Sequence, residues 1–290
     1  MHMVRRILPL LLACLLLTAA SAETGVPYTY EVTGKGTVYE SDSLVYSIEI
    51  GKIDATKVYV TRVWMAEPGK QIRKVTSPWH QRLAKAEDLA AKVPKAALAI
   101  NGSGYVSKAY PWIPEEYPGE SEDYYCTPLG SLTVTDGKVL RNLEGIPYYG
   151  LTLEADGLHM YVGADNAEVL AAEPAQTWSF YVECPLIRDG ESILDRSWPF
   201  ANRMAVRTVI AKVDDHNYVI LTATSQHGLT LLTCTDFLLG EFHPEWAYNL
   251  DGGPSSALIR RKHGSRTQKL VYGSKQSVVD VMVFQELPKN

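Results

Sequence analysis

Cysteine is scarce in this sequence. The 290-residue chain has four, and Cys14 lies inside an apolar N-terminal run. Beyond that run only Cys126, Cys184 and Cys234 remain. An odd number leaves at least one thiol unpaired, so a disulfide framework does not hold this fold together. There is no CxxC pair and no zinc-ligand spacing, and no cysteine adjoins a histidine. We read all three as buried apolar residues. Positive charge is not in excess either: 28 Lys and Arg stand against 33 Asp and Glu, a formal net charge of −5. That balance argues against a dedicated nucleic-acid binder, whose phosphate contacts need a basic surface. Arg260, Arg261, Lys262 and Arg266 form one local basic cluster, which reads as a solvated turn. No internal repeat, low-complexity tract or Pro/Gly/Ser-rich linker divides the chain. Acids spaced like an EF-hand loop are absent, so no metal is demanded. Asp251 with backbone carbonyls could still take Ca²⁺.

Long apolar runs are confined to the N-terminus. Arg5 and Arg6 precede ILPLLLACLLLTAA, and Ala20-Ser21-Ala22 offers the small residues a signal peptidase needs. We read residues 1–22 as a signal peptide of bacterial type, cleaved after Ala22, and expect a secreted or cell-surface protein. The run is short for a membrane span, so no stable membrane insertion is expected after cleavage. A retained anchor is one alternative. Lipidation at Cys14 is another, opposed by the further apolar stretch that follows it.

What remains has ample material for a core: 46% of the chain is hydrophobic and 21% charged. Residues 23–95 read as N-terminal strands and a helix flanking a main domain at 96–286. KVYVTRVWM (Lys57–Met65) alternates as a strand, with Val58, Val60 and Arg62 on one face and Tyr59, Thr61 and Val63 on the other. SPWHQRLAKAEDLAAKVP reads as a helix capped by Ser77 and stopped by Pro94. Ala96–Ile100 is a wholly apolar strand ending in Asn101-Gly102. Hairpins are expected around Asp136-Gly137, Asp214–Asn217 and His263-Gly264, and a closing strand in SVVDVMVFQEL. TLLTCTDFLLGEF reads as a helix with Thr230 as its N-cap. The expected fold class is α+β: mixed or antiparallel sheets with few helices in a single domain.

Chemistry concentrates in three places. YNLDGGPSS (Tyr248–Ser256) puts Asp251 after a short apolar strand, then two glycines whose N–H groups can face an anion, then Ser255 and Ser256. By itself it also fits an ordinary Asp-Gly turn. AINGSGY repeats the pattern around Asn101 and opens a long aromatic loop. That loop carries Tyr105, Tyr110, Trp112, Tyr117, Tyr124 and Tyr125 with Glu115, Glu116, Glu120, Glu122 and Asp123. Tyr and Trp faces suit the C–H faces of sugars, or they pack the loop on its own domain. Arg207-Thr208 begin an apolar strand, and a guanidinium there needs a partner, either a carboxylate, a phosphate or a structural salt bridge.

ALAINGSGY, RTVIAKV, HGLTLLTCTDFLLG and AYNLDGGPSSAL, in this order, resemble the phosphodiester glycosidase family over roughly Ala96 to Phe284. NLDGGPSS is the most specific element. The resemblance implies hydrolysis of a sugar-1-phosphodiester at its glycosidic bond, with a carbohydrate or sugar-phosphate as partner. Carried over by position, it implies Asp251, Arg207 and Asn101 as catalytic residues. It implies Gly102, Thr208, Thr230, Asn249, Gly252, Gly253 and Ser255 as substrate-binding. Asp251 would be the carboxylate that serves an oxocarbenium-like transition state. Arg207 and the Gly252 and Gly253 N–H groups would stabilise the departing phosphate. Asn101 would orient a sugar hydroxyl or the attacking water. The chain departs from the family's habits in several places: Ser103-Gly104-Tyr105 after Asn-Gly, TATSQH before Gly228-Leu229-Thr230, Gln276-Ser277 where Glu-Arg is usual, and Pro254 for a third glycine. These departures leave the substrate open. A non-catalytic binder of cell-wall or exopolysaccharide glycans on the same fold is the alternative. Action on an exopolysaccharide would need a general acid, for which the Glu115–Asp123 loop is the source.

Overall fold

Alternation sets the faces of the largest sheet. In strand Thr56–Met65, Tyr59 and Val63 join one apolar cluster and Val58 and Val60 another, on the opposite face. The computed structural model describes residues 25–288 apart from 109–110, 112, 114, 116, 181–183, 225–226, 262–267 and 274–275. The apolar leader, the tip of the third hairpin, and Tyr110, Trp112 and Glu116 lie outside the described residues. The sheet runs Tyr30–Glu40, Leu44–Ile53, Thr56–Met65, Asn217–Ala223, Thr208–Lys212, Trp246–Asn249, Pro185–Arg188, Glu191–Ser192. The N-terminal strands are therefore hydrogen-bonded into the sheet that carries Thr208 and Asn249. A second sheet runs Gln268–Gly273, Ala257–Arg261, Ala96–Asn101, Asp280–Gln285, Ile72–Thr76. A third contains Tyr148–Leu153, Leu158–Ala164 and Gln176–Ser179 beside the hairpin Leu132–Thr135/Lys138–Asn142. Every pairing among these strands is antiparallel, and helices are few and short. The expected α+β class holds, without a parallel component among the named strands.

One core joins the three sheets. Tyr46, Tyr248, Leu98, Met282, Phe284, Leu151 and Trp178 all belong to it. Burying one such side chain contributes about 1.5–3 kcal/mol. The far face of the first sheet is covered by helix Leu231–Phe242, which buries Leu231, Phe237 and Leu238. Thr230 caps that helix as expected, its hydroxyl accepting from Thr233 N, a contact worth about 1 kcal/mol. All three expected hairpins form strand pairs.

The helix expected from Ser77 to Pro94 is the main correction. Only Ala86–Ala90 is helical, preceded by the short strand Ala84–Lys85. His80 sits at φ +56°, which breaks a helix at its third residue. Ser77 does not cap: its hydroxyl donates to Val278 O and accepts from Ala84 N, stitching the segment to the end of the second sheet. Only Ala86, Leu89 and Ala90 keep helical spacing against that sheet's outer face.

Candidate active site

Four chain segments meet at one end of the first and second sheets. Asn101 ends strand Ala96–Asn101, Thr208 begins Thr208–Lys212, Asp251 follows Trp246–Asn249, and Asp280 begins Asp280–Gln285. Asn101 is fully buried and ties them. Its carbonyl oxygen accepts from Thr208 Oγ1 (2.9 Å) and from Ala257 N (2.9 Å). Its amide donates to the main-chain oxygen of Asp251 (2.7 Å). Both lone pairs of that carbonyl are thus used inside the protein. Asn101 was expected to orient substrate or water, but the structure uses it to hold Asp251.

Asp251 hangs between the sheets. Its N–H donates to Gly102 O (3.0 Å), so the Asn101-Gly102 pair grips both sides of its peptide. Its carboxylate accepts from Gly252 N (2.8 Å). Burial pushes the Asp251 carboxyl up to about 7, against the opposing pull of the Ser255 hydroxyl and the Gly252 N–H. The nearby charge of Asp280 pushes in the same direction as burial. A carboxyl that titrates near neutrality can give or take a proton there.

The glycines serve space and backbone shape. A Cβ at Gly102 would collide with Asp280 Oδ1 and lie 2.8 Å from Trp178 Cδ1. At Gly252 it would lie 2.6 Å from Val206 O. Gly253 has φ +57°, where a side chain costs about 1–2 kcal/mol. The amides expected to face a phosphate are engaged within the loop: Gly252 N with the Asp251 carboxylate, Gly253 N with Val206 O (2.9 Å). Gly253–Ser255 forms a short 3-10 turn with Pro254 in its first positions. An N–H is not needed there, so proline fits without loss. Ser255 is buried, and its hydroxyl lies 3.4 Å from Tyr105 OH. Tyr105 in turn donates to Ser277 O (3.0 Å) and accepts from Gln276 Nε2 (2.9 Å).

Arg207 points to the other face of the first sheet. Its guanidinium donates to Leu229 O (3.3 Å), Phe200 O (3.4 Å) and Arg203 O (2.8 Å), and stacks 4.7 Å from the Phe200 ring. Burial lowers its pKa. The fork expected on a phosphate instead staples three loop carbonyls. Asn249 is also buried, with its amide on Cys184 Sγ (3.7 Å) and its Oδ1 without a hydrogen bond. The Thr230 hydroxyl is occupied as a cap and with Thr233 Oγ1. The structure thus gathers Asn101, Gly102, Thr208, Asp251, Gly252 and Ser255 into one hydrogen-bonded group. No bond links Arg207, Asn249 or Thr230 side chains to it among the described residues.

Residues 94–285, about two thirds of the chain, match the phosphodiester glycosidase family. The chain belongs to that family. A comparison with curated protein sequences gives no match. Among solved structures, the fold resembles the catalytic domain of zebrafish N-acetylglucosamine-1-phosphodiester alpha-N-acetylglucosaminidase, auto-inhibited by its pro-peptide. That match has a TM-score of 0.63 at 17% identity and covers 94% of this chain and 98% of that one. A hypothetical protein from Synechocystis matches with a TM-score of 0.55 at 14% identity, covering 88% of this chain and 64% of that one. At these identities the likeness is one of fold. It extends beyond the family segment to the N-terminal strands.

Two site residues escaped the sequence reading. Asp280 is fully buried and accepts from Ser103 N (2.8 Å). Lys74, also buried, lies 3.4 Å from Asp280 Oδ2. The signal was present: one acid in VVDVMVF and one lysine on the inward face of IRKVT. Away from the site, Glu154, Asp156 and His159 bring three potential metal-ligand atoms within 4.8 Å. Of these, His159 lines a cavity of about 520 Å³ together with Arg188, Lys212 and Trp246, at the opposite end of strand Trp246–Asn249 from Asp251. The three remaining cysteines are buried, as expected. No described helix is long and apolar enough to cross a membrane.

Proposed function

We propose that the protein is a secreted glycosidase that hydrolyses a sugar-1-phosphodiester of the N-acetylglucosamine-1-phosphodiester kind, with Asp251 as the reacting carboxyl. The observation that carries this reading is a gripped carboxyl titrating near neutrality inside the family's most specific motif. Water attacks the anomeric carbon while the bond from that carbon to the phosphate oxygen breaks. Asp251 accepts the proton of the attacking water, and the phosphate leaves as a monoester. Such a leaving group is a weak base, so it needs little protonation. A base is most effective when its pKa lies near the working pH, as here. Thr208, Ser255 and Tyr105 hold the loop in shape. The leader Arg5–Ala22 supports export.

The test is a screen of sugar-1-phosphodiesters and polysaccharides, with and without EDTA, on wild type and Asp251→Asn. Released sugar should appear with wild type alone, and kcat/KM should rise with pH through about 7. Near-normal turnover by Asp251→Asn would sink the assignment. One observation favours a second reading, a non-catalytic glycan binder: the Gly252 and Gly253 amides are already taken inside the loop. Calorimetric binding to a glycan with no product in a parallel assay would select it.

A further inference from the structure

A buried ion pair beneath the Asp251 loop has no role in the chemistry above. Lys74 and Asp280 lie on neighbouring strands, in diagonal register, with both side chains wholly inaccessible. Withdrawing two charges from water is costly, and an apolar pair of the same volume often stabilises a core as well or better. Stability alone is therefore a weak reason for the pair. Its bonds lead elsewhere. Asp280 Oδ1 accepts from Ser103 N (2.8 Å), and the main-chain oxygen of Asp280 accepts from Gly102 N (3.2 Å). Gly102 O in turn accepts from Asp251 N. Two consecutive amides of one turn are thus fixed by Asp280, and the carbonyl between them holds the candidate reacting residue. Lys74 Nζ is itself anchored to the third sheet, donating to Thr177 O (2.5 Å) and lying 5.8 Å from the Trp178 ring. Asp280 Oδ2 has the ionic contact with Lys74 but no hydrogen bond.

We propose that the Lys74–Asp280 pair is the positioning element of this site: it fixes the Gly102-Ser103 turn from which Asp251 hangs and sets a negative charge within electrostatic reach of the reacting carboxyl. The inference rests on the reading of Asp251 given above. The groups acting on Asp251 are the Ser255 hydroxyl, the Gly252 N–H and the Asp280 carboxylate. Burial lowers the Lys74 pKa, Asp280 opposes that shift, and Arg141 adds to it. Neighbouring like charge favours the protonated form of Asp251, so removing the Asp280 charge should lower the pH at which Asp251 ionises.

The experiment compares wild type, Asp280→Asn and the double variant Lys74→Met/Asp280→Asn in the full folded chain. Both variants keep an oxygen for Ser103 N, and the double variant leaves no buried cation alone. Asp251 is titrated by carboxyl ¹³C NMR, which needs no substrate, and kcat and KM are followed against pH. The expected result is a lower Asp251 midpoint in both variants, with the acid limb of kcat following it and KM changed less. If Asp280→Asn does not fold, the double variant gives the measurement. A midpoint and pH profile that overlay wild type would overturn the proposal and leave the pair purely structural. Turnover by Asp251→Asn, together with a shifted midpoint, would overturn the catalytic reading of Asp251 while leaving the coupling intact.

Discussion

Replacing Asp251 with asparagine should disable the protein and make it more stable. In the fold the carboxyl titrates at about 7, against 3.8 for the free side chain. About three pH units, at roughly 1.4 kcal/mol each, put the cost of the fully ionised form on the order of 4 kcal/mol. The folded chain holds a proton that the unfolded chain releases. This group therefore favours folding fully below about pH 4, and that contribution is lost as pH rises through about 7. Between pH 5 and pH 8 the loss comes to roughly 2–3 kcal/mol. Asparagine stays neutral throughout, and its amide oxygen can still accept from Gly252 N. The Ser255 hydroxyl can turn to accept from its amide. Urea denaturation of both proteins at pH 5 and pH 8 measures the difference directly, since every other titrating group cancels. The variant's advantage should grow by about 2–3 kcal/mol across that interval, or roughly 4–12 °C in Tm for a chain of this size. A gap that stays constant from pH 5 to pH 8 would show that Asp251 is ionised in the fold at both. The base role argued for it would fall with that result.

Further outcomes follow from the same geometry. Gly102→Ala forces a methyl into Asp280 Oδ1 and should cost about 1–3 kcal/mol along with turnover; wild-type Tm and rate would refute the packing argument. Arg207→Lys removes the fork from three loop carbonyls and should lower Tm by an amount equivalent to about 2 kcal/mol, with KM within about twofold. A raised KM at unchanged Tm would instead put that fork on the substrate. Asn101→Ala leaves Thr208 Oγ1 and Ala257 N buried without a partner, at about 1–3 kcal/mol each, and chemical denaturation should show the sum. The buried thiols should resist a thiol reagent in native protein, Cys234 most firmly because burial pushes it up to about 12. After unfolding, a chain cleaved at Ala22 should show three reactive thiols and an uncleaved one four.

Helix Leu231–Phe242 was legible from its apolar spacing and its Thr230 cap, strand Thr56–Met65 from alternation between two separate apolar clusters, and the hairpin at Asp136-Gly137 from its turn residues. The stretch from Ser77 to Pro94 misled because helical spacing is real only over Ala86–Ala90. A left-handed backbone at His80, invisible to apolar counting, interrupts the rest. At the site, sequence order pointed to Asn101, Thr208 and Asp251. It could not say which way each side chain faces, because register between strands more than 100 residues apart decides that. Arg207 and Thr208 show the consequence: adjacent in sequence, they lie on opposite faces, one stapling a loop and the other bonding Asn101. Lys74 and Asp280 were missed for a related reason. Each looks like a lone charge in an apolar strand until the pairing of Ile72–Thr76 with Asp280–Gln285 brings them together.

The single side chain of Asn101 clasps two sheets, joining Thr208 of one to Ala257 of the other and holding the peptide that carries Asp251. A loop held in this way has no independent hinge. Local opening at Asp251 would require the sheets themselves to part. On heating or in denaturant, loss of the site and loss of the fold should therefore be one event, and hydrogen exchange at Asp251 N should be as slow as in the central strands. Such a protein gives little warning before it fails.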